Sequence, residues 1–154
     1  MLFKKWRPWL FTVLISAALA ETSTAGVGQD RSEVKKDSRF EHITAEELKT
    51  KLLRNEAVTI LDVRAGGDYT ASDAGIPNAL YIRPRRLQSR LSVPPLKDVP
   101  RDKEIVVYCA CPNDETSTRA AQTLVAAGFT RVRILKGGWQ AWQKSGGPVQ
   151  PKPK

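Results

Sequence analysis

The chain has 154 residues, a formal net charge of +9 and two cysteines. That length holds one ordinary domain with some residues to spare and excludes two full cores. The positive charge is spread along the chain with no Lys/Arg run interleaved with aromatics, which excludes a surface that tracks nucleic acid. Attraction of small anions is the better use for such a surface.

Lys4, Lys5 and Arg7 make a basic start, and residues 10–19 form an apolar run. Ala18, Leu19 and Ala20 then place small residues at the two positions a signal peptidase reads, so residues 1–20 read as a signal peptide. The competing reading is a membrane anchor. An apolar run of roughly ten residues spans only about 15 Å as a helix, half the hydrocarbon thickness of a bilayer. The expectation is an exported protein, periplasmic if its source is bacterial, that meets the membrane only through its transient signal. Residues 21–40 are rich in Ser, Thr, Gly, Lys and Asp and read as a flexible leader, because they bury too little to offset the entropy of ordering. Residues 148–154 alternate Pro, Lys and Gln and read as a loose tail. The domain proper is expected over residues 41–147.

Thr44 and Glu47 form a capping box, and Leu48, Leu52 and Leu53 are expected on one helical face behind it. Residues 57–61 are a short β-rich run leading into Asp62, Val63 and Arg64. Leu80, Tyr81 and Ile82 suit a short strand, and Pro84 opens a helical stretch that Pro94 and Pro95 end. Residues 105–108 are apolar throughout, as a strand covered on both faces requires. Residues 116–127 read as a helix with Ala120, Leu124 and Ala127 inward and Gly128 at its end. A further strand follows over residues 131–135, and Gly137, Gly138 and Trp139 open a last short helix. Strands alternating with helices at this spacing predict an α/β domain with a mainly parallel sheet and helices on both faces.

In such a sheet, ligands bind beyond the carboxyl ends of the strands. Tyr108, Cys109, Ala110, Cys111, Pro112, Asn113, Asp114, Glu115, Thr116 and Ser117 lie there, between a buried strand and a helix. Backbone amides at a helix N-terminus lower a thiol's pKa and hold anions. A thiolate at that place can attack the outer sulfur of a sulfane donor and keep it as a persulfide. The plain structural reading of the same cysteine is an inert thiol closing a core strand.

Five fragments in order carry a family resemblance: Leu61-Asp62-Val63-Arg64, Gly75-Ile76-Pro77-Asn78-Ala79, Val106-Val107-Tyr108-Cys109, Ala120-Ala121 with Ala127-Gly128-Phe129, and Leu135-Lys136-Gly137-Gly138-Trp139. Together they resemble the rhodanese family over about residues 41–147. The resemblance implies a three-layer α/β sandwich, no metal and no cofactor, and a sulfurtransferase whose cysteine begins the active-site loop. It implies a small sulfur-containing anion or a persulfide as donor and a thiol or cyanide-type acceptor. It also implies that Asp62 and Arg64 are structural.

Three departures from the family pattern bear on function. The loop is longer than usual: counting from the strand puts the nucleophile at Cys109, and counting back from Ala120 without a gap puts it at Cys111. The strand junction is fixed by the sheet while loops absorb insertions, which favours Cys109. The usual loop arginine is absent, and Asp114 and Glu115 stand where a thiosulfate-handling loop would be neutral or positive. Arg119, or Arg83, Arg85 and Arg86, can restore the balance. Gly75 replaces a histidine common before the Ile-Pro element, and the only histidine, His42, is expected at the surface. These departures keep two other readings open: a non-catalytic binding or sulfur-carrying module, and a thiol redox protein using the Cys-x-Cys pair. Phosphatase chemistry is disfavoured, because Glu115 occupies the place where a phosphate loop needs arginine.

Overall fold

Every residue of the strand Glu104–Tyr108 is buried, the condition of a strand covered on both faces. The structure, a computed structural model, describes residues 40–152. The segment expected as a signal peptide, the segment expected as a leader up to residue 39 and the last two residues of the expected tail lie outside the described residues.

The elements run β1 (Glu41–Ile43), α1 (Ala45–Leu53), β2 (Val58–Asp62), α2 (Gly66–Thr70), β3 (Ala74–Gly75), β4 (Leu80–Tyr81), a 3-10 turn (Pro84–Arg86), α3 (Leu87–Arg90), a second 3-10 turn (Leu96–Asp98), β5 (Glu104–Tyr108), α4 (Glu115–Ala126), β6 (Val132–Leu135), α5 (Gly138–Lys144) and β7 (Gln150–Pro151). The main sheet has the order β1-β6-β5-β2-β4, and all its pairs are parallel. Side chains alternate across it. Ile105 and Val107 enter a core with Leu87 of α3, Leu91 just after it, and Ala120, Ala121 and Leu124 of α4. Val106 and Tyr108 enter the opposite core, with Leu48 of α1 and with Trp139 and Trp142 of α5. Helices therefore cover both faces, and the α/β three-layer expectation holds.

The capping box of α1 is present in both directions: Glu47 N–H donates to Thr44 Oγ1 at 3.1 Å and Thr44 N–H to Glu47 Oε2 at 2.7 Å. Leu53, however, is 72% exposed. Each helical residue turns the chain by about 100°, so Leu52 returns nearly above Leu48 while Leu53 swings past the edge of the core. Ala127 likewise is only half-buried, because α4 has ended one residue earlier.

The tail departs further from its expectation. Gln150 and Pro151 pair antiparallel with Gly75 and Ala74. Trp142 Nε1 donates to Pro148 O at 2.9 Å, Asn78 N–H to Gln150 Oε1 at 3.0 Å, and Lys152 N–H to Asp73 O at 3.0 Å. Composition predicts looseness for a Pro/Lys/Gln segment, but these long-range partners bind its backbone as far as residue 152.

At the carboxyl ends of β2 and β5 lies a buried ionic knot. Arg64 is fully buried; its Nη2 donates to Asp62 Oδ2 at 2.6 Å and to Ala74 O at 3.1 Å, and its Nε to Asp62 Oδ1 at 3.0 Å. Tyr108 Oη donates to Asp62 Oδ2 at 2.8 Å. The guanidinium packs over the rings of Trp139, Tyr69 and Tyr108, at 4.7, 5.3 and 5.6 Å from their centroids. Burial works against its charge, and the hydrogen bonds and charge of Asp62 more than reverse that, holding its pKa above the ordinary arginine value. Burial first, and then Asp62, push the Tyr108 hydroxyl well above the usual tyrosine range. The structural role expected of Asp62 and Arg64 is what this geometry provides.

Breaking a buried ion pair strands the remaining charge. Arg64→Met is expected to lower unfolding free energy by about 3–5 kcal/mol, and Tyr108→Phe by about 1–3 kcal/mol. Urea denaturation followed by tryptophan fluorescence checks both; an Arg64→Met midpoint equal to the parent's contradicts the reading.

Candidate functional site

Cys109 follows β5 directly, so the sheet that buries Tyr108 also buries the cysteine, whose exposure is 0%. Its backbone is held from the other side by α5. Trp139 N–H donates to Cys109 O at 2.8 Å, and Gly138 runs so close that a Cβ there would lie 2.1 Å from the same oxygen. With φ at +51°, that position is doubly reserved for glycine. Gln140 Nε2 donates to Ala110 O at 2.9 Å, and Gly137 N–H to Asp114 Oδ2 at 3.1 Å. The start of α5 therefore binds both ends of the cysteine loop. Sequence reading places Gly137, Gly138 and Trp139 at the head of a helix but misses this role; their glycine pair was the available signal.

The loop turns Cys111 back over Cys109. Cys111 N–H donates to Cys109 Sγ at 3.3 Å, and the backbone N–H of Ser117 reaches the same sulfur. The Ser117 hydroxyl is buried with no conventional hydrogen-bond partner among the described residues, and the Cys109 sulfur is the acceptor it faces. Burial dominates the balance and raises the thiol to about 11, with the Ser117 and Cys111 donors opposing it. Both cysteines are free thiols. Cys111 is half-buried, and its sulfur lies 3.0 Å from Thr116 Oγ1.

The other loop residues divide clearly. Pro112 and Asn113 are exposed, and Ala110 and Thr116 half-buried. Asp114, in the left-handed region with φ at 53°, sets its carboxylate on the Gly137 amide. Glu115 is exposed and pairs with Arg119 one helical turn on. The two acidic residues thus have partners of their own. Arg85 and Arg119 do gather near the loop: with Arg83 and Arg86 they line a cavity of about 570 Å³ that Thr116 borders. His42, expected at the surface, is half-buried on β1, an edge strand separated from β5 by β6.

Among the described residues no cluster of His, Cys, Asp or Glu could hold a metal. The arrangement offers instead a sulfur at a helix N-terminus, with the Cys111 amide donating to it and Ser117 beside it, that is neutral at rest. When it becomes an anion, those donors are already aimed at it.

The family model for the rhodanese-like domain matches residues 44–145. A protein of Allochromatium vinosum called sulfurtransferase is 30% identical over 107 residues, 70% of this chain and 92% of that one. Thiosulfate sulfurtransferase GlpE of Actinobacillus pleuropneumoniae is 31% identical over 100 residues, covering 65% of this chain and 84% of its own. The solution structure of the rhodanese-like domain of the Anabaena protein Alr3790 superposes with a TM-score of 0.61 at 36% identity, over 72% of this chain and 79% of that one.

Only the thiolate is alkylated, so the rate must follow the thiol's ionisation. In a Cys111→Ser variant, the iodoacetamide rate at Cys109 is expected to climb with pH and level off only near pH 11. Rates measured by mass spectrometry that level off at the ordinary thiol value of about 8.5 would contradict the effect assigned to burial.

Proposed function

The chain belongs to the rhodanese-like domain family, and from that premise we propose that it carries sulfane sulfur as a persulfide on Cys109 and passes it to a thiol or cyanide-type acceptor. Relatives named sulfurtransferase and thiosulfate sulfurtransferase support the reaction class. The observation that carries the assignment is the Cys111 amide, which donates to the Cys109 sulfur at 3.3 Å, with the Ser117 amide and hydroxyl beside that sulfur. A donor set of that kind stabilises an anionic sulfur more than a neutral one.

In the forward step the Cys109 thiolate attacks the outer sulfur of a donor such as thiosulfate. The new Sγ–S bond forms as the donor's S–S bond breaks, and sulfite leaves with the electron pair. In the return step an acceptor thiolate attacks the outer sulfur and Cys109 departs as thiolate. A raised thiol pKa slows the first step at neutral pH, because few molecules hold the thiolate. It does not hinder storage of the sulfur once formed.

One observation favours a second reading, with Cys111 as the nucleophile. Its thiol is half-exposed where Cys109 is closed off, and Thr116 supplies a hydrogen-bonding partner at 3.0 Å. The protein is further proposed to act after export, in the periplasm of a bacterial source, from the pattern of residues 1–20.

Intact mass of the reduced protein, read before and after thiosulfate, tests the assignment. A gain of one sulfur atom is expected for the parent and for Cys111→Ser, and its loss for Cys109→Ser. Loss only in Cys111→Ser would move the nucleophile to that residue. No gain in any form would sink thiosulfate as donor and favour a non-catalytic or redox module.

A further inference from the structure

Four arginines surround one cavity beside the cysteine loop. Arg83, Arg85 and Arg86 come from the turn after β4, and Arg119 from α4; Ala65 and Gly66 add backbone, and no carboxylate lines the space. Among the described residues, Arg83, Arg85 and Arg86 take part in no ion pair. Only Arg119 has an acidic partner, the exposed Glu115. Like charges gathered without counter-charge repel, and nothing in the core requires them there, since Arg83, Arg85, Arg86 and Arg119 are all exposed.

The cavity's address adds a second observation. Thr116 borders it and touches Cys111 Sγ at 3.0 Å, and the same loop carries Cys109. Its size adds a third. About 570 Å³ falls among cavities that enclose small organic molecules, far more than thiosulfate's few atoms occupy. Guanidiniums present forked pairs of donors that match carboxylates.

We propose that this cavity is the acceptor subsite, holding the carboxylate-bearing body of a low-molecular-weight thiol of short-peptide size with its sulfur toward the cysteine loop. The inference rests on the reading that a persulfide forms in that loop. The step balances without an oxidant: the acceptor thiol loses its proton to solvent and its thiolate attacks the outer sulfur. The acceptor gains that sulfur as a persulfide, and the cysteine leaves as thiolate.

The probe is glutathione, a peptide thiol with two carboxylates, with uncharged 2-mercaptoethanol as the comparison. Protein loaded from thiosulfate and desalted is discharged by each thiol, and sulfur loss is followed by intact mass. In Arg85→Gln/Arg86→Gln the preference for glutathione over 2-mercaptoethanol is expected to fall about tenfold, the size of two ordinary exposed charge contacts. The half-saturating glutathione concentration should rise in parallel, and added salt should reproduce the effect in the parent. An unchanged preference overturns the subsite. If the parent never takes up sulfur, the sulfur-transfer reading falls separately, and calorimetric titration of glutathione into the untreated protein still decides the cavity. Binding weakened by the double substitution supports it, and no binding to the parent, or equal binding to both, overturns it.

Discussion

The buried pair of Asp62 and Arg64 is the constraint on which the rest of the structure depends. It joins four places at once: the end of β2, the Tyr108 hydroxyl at the end of β5, the Ala74 carbonyl of β3, and the indole of Trp139 in α5. Tyr108 precedes Cys109, and Trp139 donates its backbone N–H to the Cys109 carbonyl. The cysteine is thus held on both sides by residues that the ion pair itself positions. A buried pair contributes little net stability when complete and a large penalty when broken. Its use here is to fix one arrangement of the strand ends beneath the loop. One guanidinium nitrogen, Nη1, has no hydrogen-bond partner among the described residues, and the surrounding aromatic faces are what stabilise that side of the charge.

Two effects compete at the sulfur. Burial disfavours the thiolate and wins, since the thiol stands near 11 despite its donors. The proposed persulfide changes the comparison, because its charge sits on an outer sulfur one S–S bond removed from the buried Sγ. Donors that only moderate a buried thiol can serve an anion that reaches them. Local structure (a loop folded back so that Cys111 N–H meets Cys109 Sγ) thereby links packing to chemistry. Asp114 and Glu115, which threatened an anion site on charge grounds, are drawn off to the Gly137 amide and to Arg119.

Much of this was legible in the sequence where the signal is local. The apolar run ending at Tyr108 places Cys109 at a strand's carboxyl end, and the Thr44/Glu47 spacing is a capping box because both partners lie within one turn. Leu53 was misplaced because three leucines at i, i+4 and i+5 span more of the helix than the core covers. The order of residues 148–152 was hidden because its partners, Asp73, Asn78 and Trp142, belong to other elements. The same holds for the arginine cavity: it exists only because the turn after β4 lies beside α4. The clasp of α5 on the loop depends on Gly138, whose need for glycine comes from Cys109, a residue remote in sequence.

The central claim is that the Cys111 and Ser117 amides hold an anionic sulfur carried by Cys109. Amide proton shifts of the nitrogen-15-labelled protein, recorded before and after thiosulfate under conditions where mass confirms the added sulfur, test it most directly. The account predicts that the Cys111 and Ser117 amide protons move downfield together, as their hydrogen bonds to a charged acceptor strengthen. Sulfur taken up while those two resonances hold still would contradict it.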